Sequence, residues 1–265
     1  MKYSGNISKM RVVLEDPVKY ELYLGEDVID MNALIGSEIK MQYEGRINCI
    51  ICGTKTKKSF GQGFCYRHFM SAPEASPCIL RPEKCEGHLG EGRDLQWELD
   101  NHVQPHVVYM ALTSGMKVGV TREQQVPTRW IDQGAWKAVK FAETPNRYLA
   151  GMIEVAMKDH LSDKTNWRRM LTNQMNMELD ILEEKNRMLE HMPEEYKEYQ
   201  SGDDEVTEIS YPVEAYPEKV KSLSFDKLPE ISGVLAGIRG QYLLFDTGEV
   251  LNIRKHTGYW IELEV

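Results

Sequence analysis

The sequence has no apolar run approaching the roughly 18 residues that a membrane-crossing helix requires, so a bilayer partner is not expected. Its first residues, MKYSGNISKMRVVLEDP, lack the apolar core and small-residue cleavage site of a secretory leader. The expected setting is therefore cytoplasmic and reducing, where disulfides do not persist. Cysteine is absent outside one stretch: all five lie between Cys49 and Cys85, and thiols clustered in this way serve a metal rather than staple distant loops. An overall excess of positive charge is also lacking. The net charge of −9 by itself argues against a polyanionic partner.

That average hides an asymmetry. Residues 106–173 carry 10 Lys/Arg against 6 Asp/Glu, whereas residues 174–265 carry 9 against 20. If DNA or RNA is the partner, it is expected to meet 106–173. The texture of the chain changes at similar places. Residues 1–48 read as strands (MRVVL, YELYL, SEIKMQY) separated by turn-formers, and 219–265 read the same way (GVLAGI, QYLLFD, VLNIR, YWIELEV). Neither group alone has many strands, so the two are expected to complete one small β-barrel. Residues 49–105 are irregular and rich in Gly, Pro, Cys and His, as befits a metal-ordered, zinc-ribbon-like module. Residues 106–173 read as two strands, a short helix between Pro127 and Gly134, and a second helix after Pro145 bearing Leu149, Met152, Ile153 and Ala156 on one stripe. Residues 174–218 comprise an acidic helix over 174–199 and a polar linker at Gln200–Asp204. The fold class expected is α+β.

Cys49-x-x-Cys52 and Cys65-x-x-His68 form two ligand pairs whose internal spacing lets each pair point at one tetrahedral ion, and Gly53 frees backbone amides to turn toward the thiolates. A structural Zn2+ is expected there. Cys78, Cys85 and His88 supply three further ligands, with His102 or His106 as a fourth. Spacing leaves open a second structural zinc, a catalytic zinc, an iron–sulfur centre or plain loop residues.

In the α+β segment, Gly119 on the second strand leaves room for close backbone approach. Arg147, Glu154 and Lys158 share one helix face, with the small Ala150 and Gly151 between them. A carboxylate flanked by cations suits a divalent ion, Mg2+ or Mn2+, beside a phosphate; a solvated helix face is the plainer alternative.

The order Tyr109, Lys117-Val118-Gly119-Val120-Thr121, Arg129 and Glu154 resembles the GIY-YIG nuclease-like superfamily over about 60 residues. That resemblance implies a catalytic set in which Tyr109 orients the nucleophile, Arg129 stabilises phosphate charge and Glu154 binds the metal ion. Two positions depart from the motif: the first motif glycine is missing from Val107-Val108-Tyr109, and Lys117 stands where a second tyrosine is expected. The lysine resembles a Lys-Ile-Gly branch of the superfamily. As a whole, the chain is similar to an uncharacterised prokaryotic family joining a Cys/His cluster to such a domain, through Pro105-His106, KVGVTR, TRWIDQGA and DKTNWRRML. That likeness implies that Arg122, Arg129, Trp130, Asp132 and Gln133 surround one cleft, followed by Asp163, Trp167 and Arg168. The substrate-binding set is thus Lys117, Gly119, Arg122, Trp130, Arg147 and Arg168, with Trp130 or Trp167 a candidate stacking surface for a base. The function expected is metal-dependent phosphodiester cleavage of nucleic acid. The alternatives are a non-catalytic zinc module that binds nucleic acid or protein, and an adaptor whose acidic helix docks a partner or competes with nucleic acid for the basic cleft, a solvated helix being the plainer reading of that segment.

Overall fold

The computed structural model describes residues 1–161, 165–176 and 178–265. It is a mixed α+β structure with several sheets, and the described residues divide into two compact units: 1–70 with 171–173 and 209–265, and 71–170 with 174–208. No described helix is long and apolar enough to cross a membrane.

In the first unit the two ends of the chain do meet. Strand Lys2–Asn6 runs antiparallel to Tyr259–Glu264, which pairs in turn with the long strand Glu38–Asn48. Glu230–Arg239 continues the sheet, then Tyr242–Phe245, Glu249–Asn252 and finally Lys221–Leu223. The alternation in Tyr259–Glu264 has its physical basis here: Tyr259, Ile261 and Leu263 are buried on one face, as the period of two requires. The expected barrel does not close. Lys2–Asn6 and Lys221–Leu223 remain the outer strands of an open sheet. One outer strand is instead joined by a separate three-stranded sheet, Arg11–Val13, Lys19–Leu24 and Asp27–Asp30. There Ile7 bridges to Leu24, and at Gly5 a side chain would collide with the backbone of Leu24 and Gly25.

In the second unit, strands His106–Leu112 and Met116–Arg122 form the expected hairpin, Tyr109 lying opposite Gly119. A third strand, Lys137–Thr144, pairs on the other side of His106–Leu112, and the short Thr207–Glu208 completes the sheet. Val108, Met110, Val118, Val139 and Phe141 pack against Ala150, Ile153 and Met157 of helix Arg147–Met157. That helix begins where the Asn146 side chain accepts a hydrogen bond from the Leu149 amide at 3.0 Å.

The acidic helix is shorter than expected. It spans Ile181–Leu189 and is capped by Asp180; after Pro193, which has no N–H to continue a helix, a tight turn follows at Glu194–Tyr199. Its apolar side, Ile181 and Met188, belongs to the core of the unit. The expected Gln200–Asp204 linker is also pinned. Lys185 is 1% exposed, and its ammonium donates to the Asp203 carbonyl at 2.8 Å and to Asp204 Oδ1 at 2.7 Å. A buried ammonium requires such oxygens, so the stretch that reads as polar spacer is the counter-charge of a core lysine.

Gly151 lies where helix Arg147–Met157 crosses the loop Pro82–Lys84, and a Cβ there would overlap the main chain of Pro82 and Glu83. Main chain gives way less readily than a side-chain end, so Gly151→Ala is expected to cost about 2–3 kcal/mol in denaturant unfolding. An unchanged midpoint would show that the loop does not seat against this helix.

Candidate functional site

The first cluster is assembled by the long strand of the first unit. Glu38–Asn48 leads directly into Cys49, where the chain turns: the Gly53 amide donates to the Cys49 carbonyl at 2.8 Å, with Gly53 at φ 68°, and the Cys49 amide donates to the Thr54 carbonyl at 3.0 Å. A second tight turn, closed by reciprocal Phe60 and Phe64 hydrogen bonds, delivers Cys65 to the start of helix Tyr66–Ser71, one turn before His68. The ligand atoms of Cys49, Cys52, Cys65 and His68 lie within 4.8 Å of one another. His68 Nδ1 is 3.4 Å from the sulfurs of both Cys49 and Cys65. A tetrahedral zinc with ordinary bond lengths would separate such atoms by about 3.6 Å. Burial opposes ionisation of Cys49, but the amides of Cys65, Cys52 and Ile51 outweigh it and hold the thiol down to about 7, as a metal ligand requires.

The second cluster consists of Cys78, Cys85, Glu98 and His102, all buried and again within 4.8 Å of one another. Cys78 and Cys85 come from short turns rich in proline, whereas Glu98 and His102 lie one helical turn apart on and just after helix Leu95–Asn101, whose first turn is capped by Asp94. His88 is not in this set. It is exposed and stacks on Tyr148, with ring centroids 4.5 Å apart. Glu98 carries no sign in the cysteine spacing; the Glu98-x-x-x-His102 interval on a helix is the signal that could have found it. Between the thiols, Cys78 donates to Cys85, which with His102 holds the Cys85 thiol at about 4 despite burial and pushes the Cys78 thiol up.

His106 also lies outside the ligand set. Its Nδ1 sits 2.7 Å from the Gln104 carbonyl, and burial holds its pKa down to about 4 from an ordinary 6.5. The fold therefore requires the neutral ring, so its contribution is complete above pH 6.5 and is lost as pH falls toward 4. Relative to wild type, His106→Gln should flatten the fall in urea stability over that interval by up to about 3 kcal/mol. Parallel pH profiles would contradict this assignment.

The remaining predicted residues separate into those the fold gathers and those it uses elsewhere. Tyr109 is 1% exposed; its hydroxyl is bonded by Gln133 Nε2 and lies in the field of both Arg129 and Glu154. Burial raises its pKa, and Arg129 and Gln133 oppose that rise. Gly119 is the floor beneath it, since a Cβ there would lie 2.5 Å from the Tyr109 oxygen. Arg129 and Trp130 come from helix Thr128–Asp132, with the Trp130 ring 6.1 Å from that of Tyr109. Glu154 is nearly buried on helix Arg147–Met157 and pairs with Lys158 at 3.4 Å.

Arg147, predicted to bind substrate, is taken by the second cluster instead. Its guanidinium donates to the Cys78 carbonyl at 3.0 Å and to the Ile79 carbonyl at 2.9 Å, because the loop it clamps needs donors for carbonyls buried against the helix. Arg122 is bonded to Asn101, and Lys117 is 6% exposed with its ammonium 3.4 Å from Thr165 Oγ1. Of the two candidate stacking rings, Trp130 is buried and Trp167 half-buried, and the face of Trp167 already carries Arg168 at 4.4 Å. Asp163 lies outside the described residues.

No curated protein and no solved structure matches the chain. The model of one family, described as "Protein of unknown function (DUF2797)", matches residues 36–261, a span that takes in both Cys/His clusters and the strands between which Tyr109 and Gly119 face each other, and the chain belongs to that family.

Proposed function

We propose that this protein is a two-zinc protein whose second unit acts on the phosphodiester backbone of nucleic acid, with a GIY-YIG-like site made by Tyr109, Arg129 and Glu154. The observation that carries the reading is the convergence of the Tyr109 hydroxyl, Arg129 and Glu154 above Gly119, from two strands and two helices. Arg129 supplies a charge for a non-bridging phosphate oxygen, and Tyr109, fixed by Gln133, orients the attacking group. Glu154 offers one carboxylate to Mg2+ or Mn2+, ions that commonly take their other ligands from water and substrate phosphates. The excess of Lys/Arg in residues 106–173 supports a polyanion at this face. Zinc is the fitting occupant of the first cluster because thiolate and imidazole donors at tetrahedral separations select that metal, and the two thiolates and imidazole of the second, beside Glu98, favour the same ion.

The test is incubation of the purified protein with end-labelled DNA and RNA in Mg2+ or Mn2+. Products that disappear with Glu154→Gln support the proposal; no products from either nucleic acid sink the cleavage reading. Binding without cutting is the second reading, favoured by the near-complete burial of Tyr109 and by Lys117 in place of a second hydroxyl. It expects salt-sensitive binding that weakens with Arg129→Ala in the absence of any cleavage, and indifference to that change would end it.

A further inference from the structure

Three of the four residues in the second cluster, Cys78, Cys85 and Glu98, reach the wall of a cavity of about 850 Å³. The same wall carries two buried polar atoms without a hydrogen-bond partner among the described residues: the hydroxyl of Ser76, itself 7% exposed, and Oε2 of Glu83. Lys84 and Arg93 also line it, together with Glu86, Glu91 and the stacked His88 and Tyr148. A metal ion held by the cluster therefore faces a polar space large enough for a small molecule.

The donor set differs from that of the first cluster in one respect. Cys49, Cys52, Cys65 and His68 contain no carboxylate, whereas the second set includes Glu98. Zinc sites closed by thiolate and imidazole alone are structural, and sites that work by exchange keep three firm ligands and a fourth position that solvent or substrate can take. Glu98 is the hardest donor of its set, beside two soft thiolates and an imidazole, and its Oε2 is bonded to His102 Nδ1. Like the two thiolates, and unlike His102, it lies on the cavity wall.

We infer that the second cluster is a ligand-exchanging metal centre: Cys78, Cys85 and His102 hold the zinc, and Glu98 yields the fourth position to a small anion entering from the cavity. The exchange breaks one metal–carboxylate bond and forms one metal–anion bond, with no change of oxidation state. The Ser76 hydroxyl is an unused donor on that wall, and because Glu83, Glu86 and Glu91 stand there beside Lys84 and Arg93, the incoming anion is held by its bond to the metal, in exchange for a carboxylate of equal charge, and not by the charge of the wall. The first centre has no carboxylate to release and does not respond. The inference rests on the reading that this cluster holds zinc, and the two can fail separately.

The test uses the full chain with Co2+ substituted for zinc and azide as the probe, read in the visible d–d bands. Wild type with two cobalt ions per chain should show a saturable band shift. Glu98→Gln should bind azide about tenfold more tightly, because the competing carboxylate is gone. Glu98→Cys, whose thiolate closes the tetrahedron, should lose the shift while keeping both ions. No shift in a two-cobalt wild type, or a shift that persists in Glu98→Cys, would overturn the inference. If Glu98→Cys does not fold, unchanged azide affinity in Glu98→Gln does the same. A second cluster that takes up no cobalt would instead defeat the zinc reading on which it rests.

Discussion

Replacing Cys65 with serine is expected to release one zinc ion and lower the melting temperature of the protein by roughly 10 °C. The size of the effect follows from where the cluster stands. The turn at Cys49 continues strand Glu38–Asn48, the central strand that pairs with both Tyr259–Glu264 and Glu230–Arg239. Lys55–Thr56 adds back to its end, and the Ile50 amide donates to the Gly63 carbonyl at 2.9 Å. These turns bury little apolar surface: Ile50, Ile51, Tyr66 and Met70 are all exposed. On the proposed two-zinc reading their order depends on metal bonds, a structural zinc contributing about 10–16 kcal/mol of apparent binding free energy in small modules. Losing one thiolate leaves a three-ligand site and unravels the turns but not the sheet's own pairing. Melting followed by circular dichroism, with zinc content measured on the same sample, checks the outcome; an unchanged melting temperature with one zinc lost would mean that the turns stand without the metal.

On the proposed cleavage reading, Arg129→Ala is expected to slow Mn2+-dependent cleavage by roughly 10²–10³-fold, the usual cost of removing one preorganised group that meets developing charge. Glu154→Gln should do at least as much, because it removes the only charge proposed to hold the divalent ion. The two differ in what else they disturb. Arg129 is half-buried on a short helix, so its removal should leave the melting temperature nearly unchanged, whereas Glu154 is nearly buried and paired with Lys158. Equal activity in Arg129→Ala and wild type, with both proteins folded, would remove Arg129 from any role at the phosphate.

The features legible in the sequence were those whose geometry is local. Two ligand pairs with a two-residue gap and a glycine after the first declare a metal turn without knowledge of the rest of the chain, and Cys49, Cys52, Cys65 and His68 are brought together. The hairpin of His106–Leu112 and Met116–Arg122 is equally local, with Ser114-Gly115 between its strands. Strand Lys137–Thr144 was not legible: it is buried on both faces over much of its length, so the alternation that marks a half-exposed strand is missing. Nor was the sheet that joins the ends. Lys2 opposite Glu264 is a pairing no local signal can announce, and whether such strands close a barrel depends on what meets the outer strands.

The second cluster shows how a site can be half read. Cys78 and Cys85 stand out because cysteine is scarce, whereas Glu98 is one acidic residue among 41 and becomes visible only when its helix sets it beside His102. His88 has a ligand's chemistry and a suitable spacing, yet the turn Gly87–Leu89 leaves it outside, against Tyr148. Arg147 stands on the same helix as Glu154, but the loop bearing Cys78 packs against that helix and takes its donors, a contact between distant parts of the chain that no local spacing announces.

Elemental analysis of the freshly purified protein is the direct test of the proposed two-zinc reading, in which both clusters and the order around them depend on bound metal. Close to two zinc ions per chain are expected, one lost in Cys65→Ser and the other in Cys85→Ser. A natively folded chain with less than one zinc would contradict that reading.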